Sequence, residues 1–134
     1  MRSGRSGAPI LRAVATEDDV RRIALSLPEV IEKSWYGTPG YRVKGKGFLR
    51  LRTEADGGLV VFVADLGEKE MLLASDPEKF FTTPHYDGHA SVIVNLPAID
   101  VDELAELIAD SWRVKAPPKV LAAHEHELPG GAGA

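Results

Sequence analysis

The chain contains no cysteine. Disulfides, thiolate zinc sites, Cys-ligated clusters and cysteine nucleophiles are therefore excluded. Any site must be built from histidine, carboxylate, aromatic or basic side chains. The absence fits a reducing compartment. Long apolar runs are also missing, and no stretch approaches the roughly 20 apolar residues of a membrane span. Near the N-terminus, Pro9 and Arg12 interrupt the place where the apolar core of a secretory signal would lie. A soluble, cytoplasmic protein is expected. There is no Gly-rich phosphate loop, no nucleophile elbow and no His-Glu-x-x-His zinc helix. No enzymatic activity and no cofactor are expected.

A dominant charge sign is lacking too. Sixteen Lys and Arg stand against 20 Asp and Glu, a formal net charge of −4. This excludes only an evenly basic protein, because a mean hides its distribution. Residues 1–65 carry 11 basic and 8 acidic side chains, whereas residues 66–134 carry 5 and 12. Any polyanion-binding face must be one-sided.

What remains is ordinary globular material. The 134 residues are 44% hydrophobic and 27% charged, enough for one domain with its own core. The Arg-Ser-Gly start and the Pro-Gly-Ala end divide the chain into a flexible arm over 1–15, a domain over 16–123 and a flexible tail over 124–134.

Thr16 is placed to cap a helix, with Asp19 closing a capping box. Val20, Ile23, Ala24 and Leu27 make its apolar face, and Pro28 ends it. Strands are expected over Val30 to Tyr36, Tyr41 to Lys44, Phe48 to Thr53 and Leu59 to Ala64. Gly45-Lys46-Gly47 forms the expected hairpin turn. Asp65 caps a helix whose buried side is Met71, Leu72 and Leu73. A short helical turn follows over Asp76 to Phe80, then a loop over Thr82 to His89. Ser91 to Leu96 is the last expected strand. Asp100 caps the last long helix, which buries Trp112, and Lys119 to His126 adds a turn or two. Hairpins force antiparallel neighbours, so the class is α+β. The expected architecture is two-layer: an antiparallel sheet of about five strands with helices packed on one face.

The hairpin carries Arg42, Lys44, Lys46, Arg50 and Arg52 with no acidic residue among them. Strict alternation puts Tyr41, Val43, Leu49 and Leu51 on the helix side. Arg42, Lys44, Phe48, Arg50 and Arg52 then share the other face, with Lys46 at the tip. This is either a solvated outer face or a wing on nucleic-acid phosphates with Phe48 as a stacking ring. A second cluster is Pro84-His85-Tyr86-Asp87-Gly88-His89. Trp35, Tyr36, His85, Tyr86 and His89 are the candidates for a ligand pocket. His85, Asp87 and His89 match no established metal-ligand spacing, and no metal site is assigned.

Leu27-Pro28-Glu29-Val30, Trp35-Tyr36-Gly37-Thr38-Pro39, Val43-Lys44-Gly45-Lys46 with Phe48, Pro84-His85-Tyr86 with Gly88, and Ser111-Trp112 before Ala116-Pro117-Pro118-Lys119 occur in that order. With these pieces the sequence resembles the MmcQ/YjbR family (DUF419), from the first helix to about Leu121. The resemblance implies a CyaY-like α+β fold, similar to frataxins, and a DNA-binding role tied to a double wing of β-hairpins. Likeness to frataxins also brings an iron-handling alternative, with Glu17, Asp18 and Asp19 as an acidic ridge. The expected function is a non-enzymatic, monomeric DNA-binding protein of low sequence specificity. The alternatives are a small-ligand or protein-partner module centred on Trp35 and His85, and metal handling.

Overall fold

Thr16 caps helix α1, Glu17–Ser26, through the reciprocal bonds of a capping box with Asp19. The computed structural model describes residues 14–128. Strands follow at β1, Val30–Glu32, β2, Gly40–Val43, β3, Lys46–Leu51, and β4, Leu59–Phe62. Asp65 caps α2, Leu66–Ser75, by accepting the Glu68 N–H at 2.8 Å. Strand β5, Phe80–Phe81, a 3-10 turn over Pro84–Tyr86, and strand β6, Ser91–Val94, come next. Asp100 caps α3, Val101–Lys115, and Ala116-Pro117 separates it from α4, Pro118–His124. No helix of the described residues is long and apolar enough to cross a membrane.

The six strands form one antiparallel sheet in the order β1-β2-β3-β4-β6-β5. The class is α+β, as the hairpins require. Cross-strand pairing sorts the side chains into rows. Tyr41, Leu49, Val61 and Val92 make one row, and Leu51, Leu59, Val94 and Phe80 another. Both rows are buried against Val20, Ile23 and Ala24 of α1 and Leu104, Ile108 and Trp112 of α3. The Trp112 indole donates to the Pro28 carbonyl at 3.0 Å, which satisfies its one polar atom. The row Gly40, Arg50, Val60, Ile93 and Phe81 lies on the opposite face, which α1 and α3 leave open, although Val60 and Ile93 are buried there.

Several expectations are corrected. The hairpin turn is Lys44-Gly45, both at positive φ, so β3 begins at Lys46. A two-residue turn of that kind matches the twist of the strands it joins. Register then shifts: Arg42 pairs with Gly47 and Tyr41 with Leu49, leaving Phe48 as the extra residue of a bulge. Phe48 is therefore turned into the core beside Leu49, not onto the basic face. Strand β1 stops at Glu32, short of the expected Tyr36. In α2, Met71 is 72% exposed and Lys69 is the buried residue. The expected turn over Asp76 to Phe80 is present, with the N–H groups of Lys79 and Phe80 both donating to the Asp76 carbonyl at 3.0 Å, and Phe80–Phe81 then pairs as an additional strand. The expected arm 1–15 and tail 124–134 lie largely outside the described residues. Within them, Ala15 is buried and its N–H reaches the Ile99 carbonyl at 3.0 Å, and Leu128 is also buried.

Ser111 ties the layers together. Its hydroxyl donates to the Phe48 carbonyl at 2.6 Å and accepts the Phe62 N–H at 2.8 Å. The bulge and the end of β4 thus share one buried oxygen. Ser111→Ala leaves both backbone groups unpaired, and urea denaturation should read a loss of about 2 kcal/mol.

Candidate nucleic-acid interface

The open face begins with glycine. A Cβ at Gly47 would overlap the Trp35 ring, and one at Gly40 would crowd the Trp35 Cβ. Those two glycines make a flat bed, and the half-buried Trp35 ring lies across it. Trp35 also stacks beside Phe62, their planes 10° apart and centroids at 6.4 Å.

The chain reaches this position through a second tight turn. Trp35 and Thr38 exchange backbone bonds, while Tyr36 at φ 55° and Gly37 at φ 81° occupy the corners. The left-handed region is costly for a tyrosine. Its ring gains no burial in return, since Tyr36 is 84% exposed. The positive φ is what a two-residue turn requires, as at Lys44-Gly45, and the turn leaves the Tyr36 ring presented to solvent.

Four cations lie over the aromatic rings of this face. Arg42 sits 5.0 Å from the Trp35 centroid, Arg50 5.4 Å from Tyr36, Arg52 5.8 Å from Phe81 and Lys115 4.4 Å from Phe62. None of these four makes an ion pair with a carboxylate of the described residues. Cations elsewhere behave differently: Arg21, Arg22, Lys79 and Arg113 are each paired with Asp or Glu. Lys33, Lys46, Lys69 and Lys119 also lack a carboxylate partner among the described residues, so what distinguishes this face is that its four unpaired cations each lie over a ring.

Arg50 is the hub. Its Nε donates to the Trp35 carbonyl at 3.3 Å and its NH1 to the Tyr86 hydroxyl at 3.1 Å. This links the Trp35 turn to the loop that carries the histidines. His85 packs edge-on against Tyr86, with centroids 4.8 Å apart. Lys69 fixes the same loop from beneath, donating to the carbonyls of Tyr86 at 2.6 Å and His89 at 2.8 Å. A buried ammonium needs such partners, and here the partners are the loop backbone.

Trp35, Tyr36, His85 and Tyr86, separated by about fifty residues of sequence, therefore meet in one cavity of about 150 Å³ over Arg50, Val60 and Phe62. His89 does not join them; its exposed ring lies outside that lining, and only its carbonyl is used, by Lys69. Among the described residues no group of three or more His, Cys, Asp or Glu is placed to hold a metal ion. Asp19, the end of the acidic run in α1, is occupied by Arg22 and by the Thr16 backbone, which in that order hold its carboxyl below its ordinary value.

The remaining basic residues of the hairpin stand apart. Lys46 is exposed and pairs in register with Val43, on the helix side of the sheet. Lys44, at the tip, is 2.8 Å from Glu29. Glu29 also lies 3.3 Å from His124 Nε2, and His124 Nδ1 is 2.7 Å from Glu127. Glu127 and then Glu29 raise the His124 pKa above its ordinary 6.5, while Lys44 and His124 lower that of Glu29. The signs follow from linkage. The His124 contribution is complete below 6.5 and is lost as pH rises through the raised value; that of Glu29 is present above 4.5 and is lost as pH falls through the lowered one. His124→Gln should flatten the decline in stability as pH rises above about 6.5, measured by urea midpoints.

Sequence reasoning missed Phe62, Phe81, Lys115 and Lys69 at this site. A glycine inside a strand, Gly47, was the available signal for a bulge or a close approach.

The YjbR family model matches residues 25–114. Uncharacterized proteins of Mycobacterium tuberculosis and Mycobacterium bovis are each 35% identical over 123 residues, covering 82% of this chain and 95% of the relative. A crystal structure of Deinococcus radiodurans protein DR2400, a DUF419 domain, matches with a TM-score of 0.69 at 22% identity. That alignment covers 92% of this chain and 99% of the other, and it is a likeness of fold.

Proposed function

The chain belongs to the MmcQ/YjbR family, and from that membership and the open face of its sheet we propose a non-enzymatic, cytoplasmic, monomeric protein that binds single-stranded DNA with little sequence preference. The observation that carries the reading is the set of four cation–ring pairs on one face, none neutralised by a carboxylate of the described residues. Single strands are bound by such surfaces. Cations follow the backbone and aromatic rings stack on bases of any identity. Duplex readout instead needs a helix or ribbon that fits the major groove. Tyr36 takes the stacking role first assigned to Phe48. The double wing is read as the two hairpins of β1 to β4, in a CyaY-like arrangement, with the face of the sheet rather than the Lys44 tip as the contact surface.

Fluorescence anisotropy with a labelled oligonucleotide tests this. Affinity should fall steeply between about 50 and 200 mM salt, and the matching duplex should bind more weakly. Absence of binding at about 50 mM salt defeats the proposal.

A further inference from the structure

The cleft on the open face has two lobes that meet at Arg50, His85 and Tyr86. One, of about 150 Å³, is walled by Trp35, Tyr36 and Phe62. The other, of about 180 Å³, adds Arg52, Thr53, Asp56 and Thr83. Resting on the single-strand reading above, we propose that the cleft receives one nucleotide bearing a terminal phosphomonoester, with its base in the aromatic lobe and its phosphate in the polar lobe.

Size, charge and rigidity each point there. Both lobes are smaller than the roughly 300–1,000 Å³ of pockets for drug-sized ligands, so they suit one ring and one headgroup. Arg50 and Arg52 both line the polar lobe; Arg52 has a guanidinium fork that matches phosphate oxygens, and Arg50, with Nε and Nη1 engaged by Trp35 and Tyr86, has its Nη2 donors left. A terminal phosphate carries about −1.5 to −2 charges and three acceptor oxygens, against one charge for an internal diester. Two arginines match the former better. Thr53 and Thr83 bring hydroxyls into the same lobe. Asp56 is the one carboxylate of that lining, an acceptor suited to a sugar hydroxyl, and it keeps the dianion on the arginine side. The walls are already set: Arg50 is held by Trp35 and Tyr86, and Lys69 holds the loop behind Tyr86. A site fixed before binding loses less entropy on binding.

The full-length protein is titrated with one oligonucleotide in three forms: 5′-phosphorylated, 3′-phosphorylated and hydroxyl at both ends. A free nucleoside monophosphate is titrated separately by calorimetry. One phosphorylated end should bind about tenfold more tightly than the hydroxyl form. Arg52→Met should abolish that difference. Among the described residues the Arg52 guanidinium makes no ion pair or side-chain hydrogen bond and lies 5.8 Å from the Phe81 centroid, so the variant is expected to keep the fold. Tyr86→Phe, which removes a bond to Arg50, should reduce the difference without abolishing strand binding. Saturable monophosphate binding that is lost in Arg52→Met supports the cleft even if strands fail to bind, and it separates a free nucleotide from a strand end as the source. Equal affinity for all three oligonucleotides, with salt-dependent binding intact, overturns the terminal-nucleotide site alone. No binding of strand or monophosphate overturns both readings.

Discussion

Replacing Arg42, Arg52 and Lys115 together by glutamine should lower affinity for single-stranded DNA about a hundredfold at low salt. The reason is counterion release: each cation that meets a phosphate frees roughly 0.7 of a condensed counterion on a single strand. Three such losses shallow the dependence of log affinity on log salt by about two. Arg50 is left in place because it joins Trp35 to Tyr86, and its loss would disturb the cleft as well as the charge. Arg21→Gln with Arg22→Gln, which removes two positive charges rather than three, is the control. It also removes positive charge, but from α1, where those residues pair with Glu32 and Asp19. Its slope should equal that of the wild type. Identical slopes for the triple variant and the control would mean that the open face is not the contact surface.

Tyr36→Asn should move stability and binding in opposite directions. Asparagine enters the left-handed region far more readily than tyrosine does, so the Trp35–Thr38 turn loses strain. The ring is exposed, and its removal uncovers little core. The urea midpoint should rise, by about 1 kcal/mol in stability. Binding should weaken by about 1–3 kcal/mol, the usual worth of a base stacked on an aromatic ring. A substitution that only damaged the fold would lower both quantities. If Tyr36→Asn instead stabilises the protein and leaves affinity untouched, the ring has no part in binding.

Much of the helical framework was legible because its signals are local. Thr16, Asp65 and Asp100 each cap a helix through a backbone N–H three residues on. The buried inner strand at Leu59 and the core position of Trp112 followed from hydrophobic pattern alone. Phe48 was not legible, because alternation assumes an unbroken register and the bulge adds a residue. What the bulge accommodates is the Trp35 ring on Gly47, a contact between segments that no window of sequence contains. Lys69 was hidden for the same reason: its burial depends on two carbonyls in a loop 17 and 20 residues away. The aromatic part of the site was half visible. Trp35, Tyr36, His85 and Tyr86 were named as candidates, but the link that gathers them is Arg50, which had been read only as a phosphate contact.

The bond from Trp112 to Pro28 spans 84 residues, and the Ser111 bond to Phe48 spans 63. Synthesis proceeds from the N-terminus, so the sheet row Tyr41, Leu49 and Val61 leaves the ribosome well before Val101–Lys115 exists to cover it. During that interval the nascent chain carries an apolar stripe and open strand edges, which are the features that recruit chaperones and promote aggregation. The stripe is covered only once Val101–Lys115 has emerged, so closure of this sheet waits on a segment far downstream of the strands it buries.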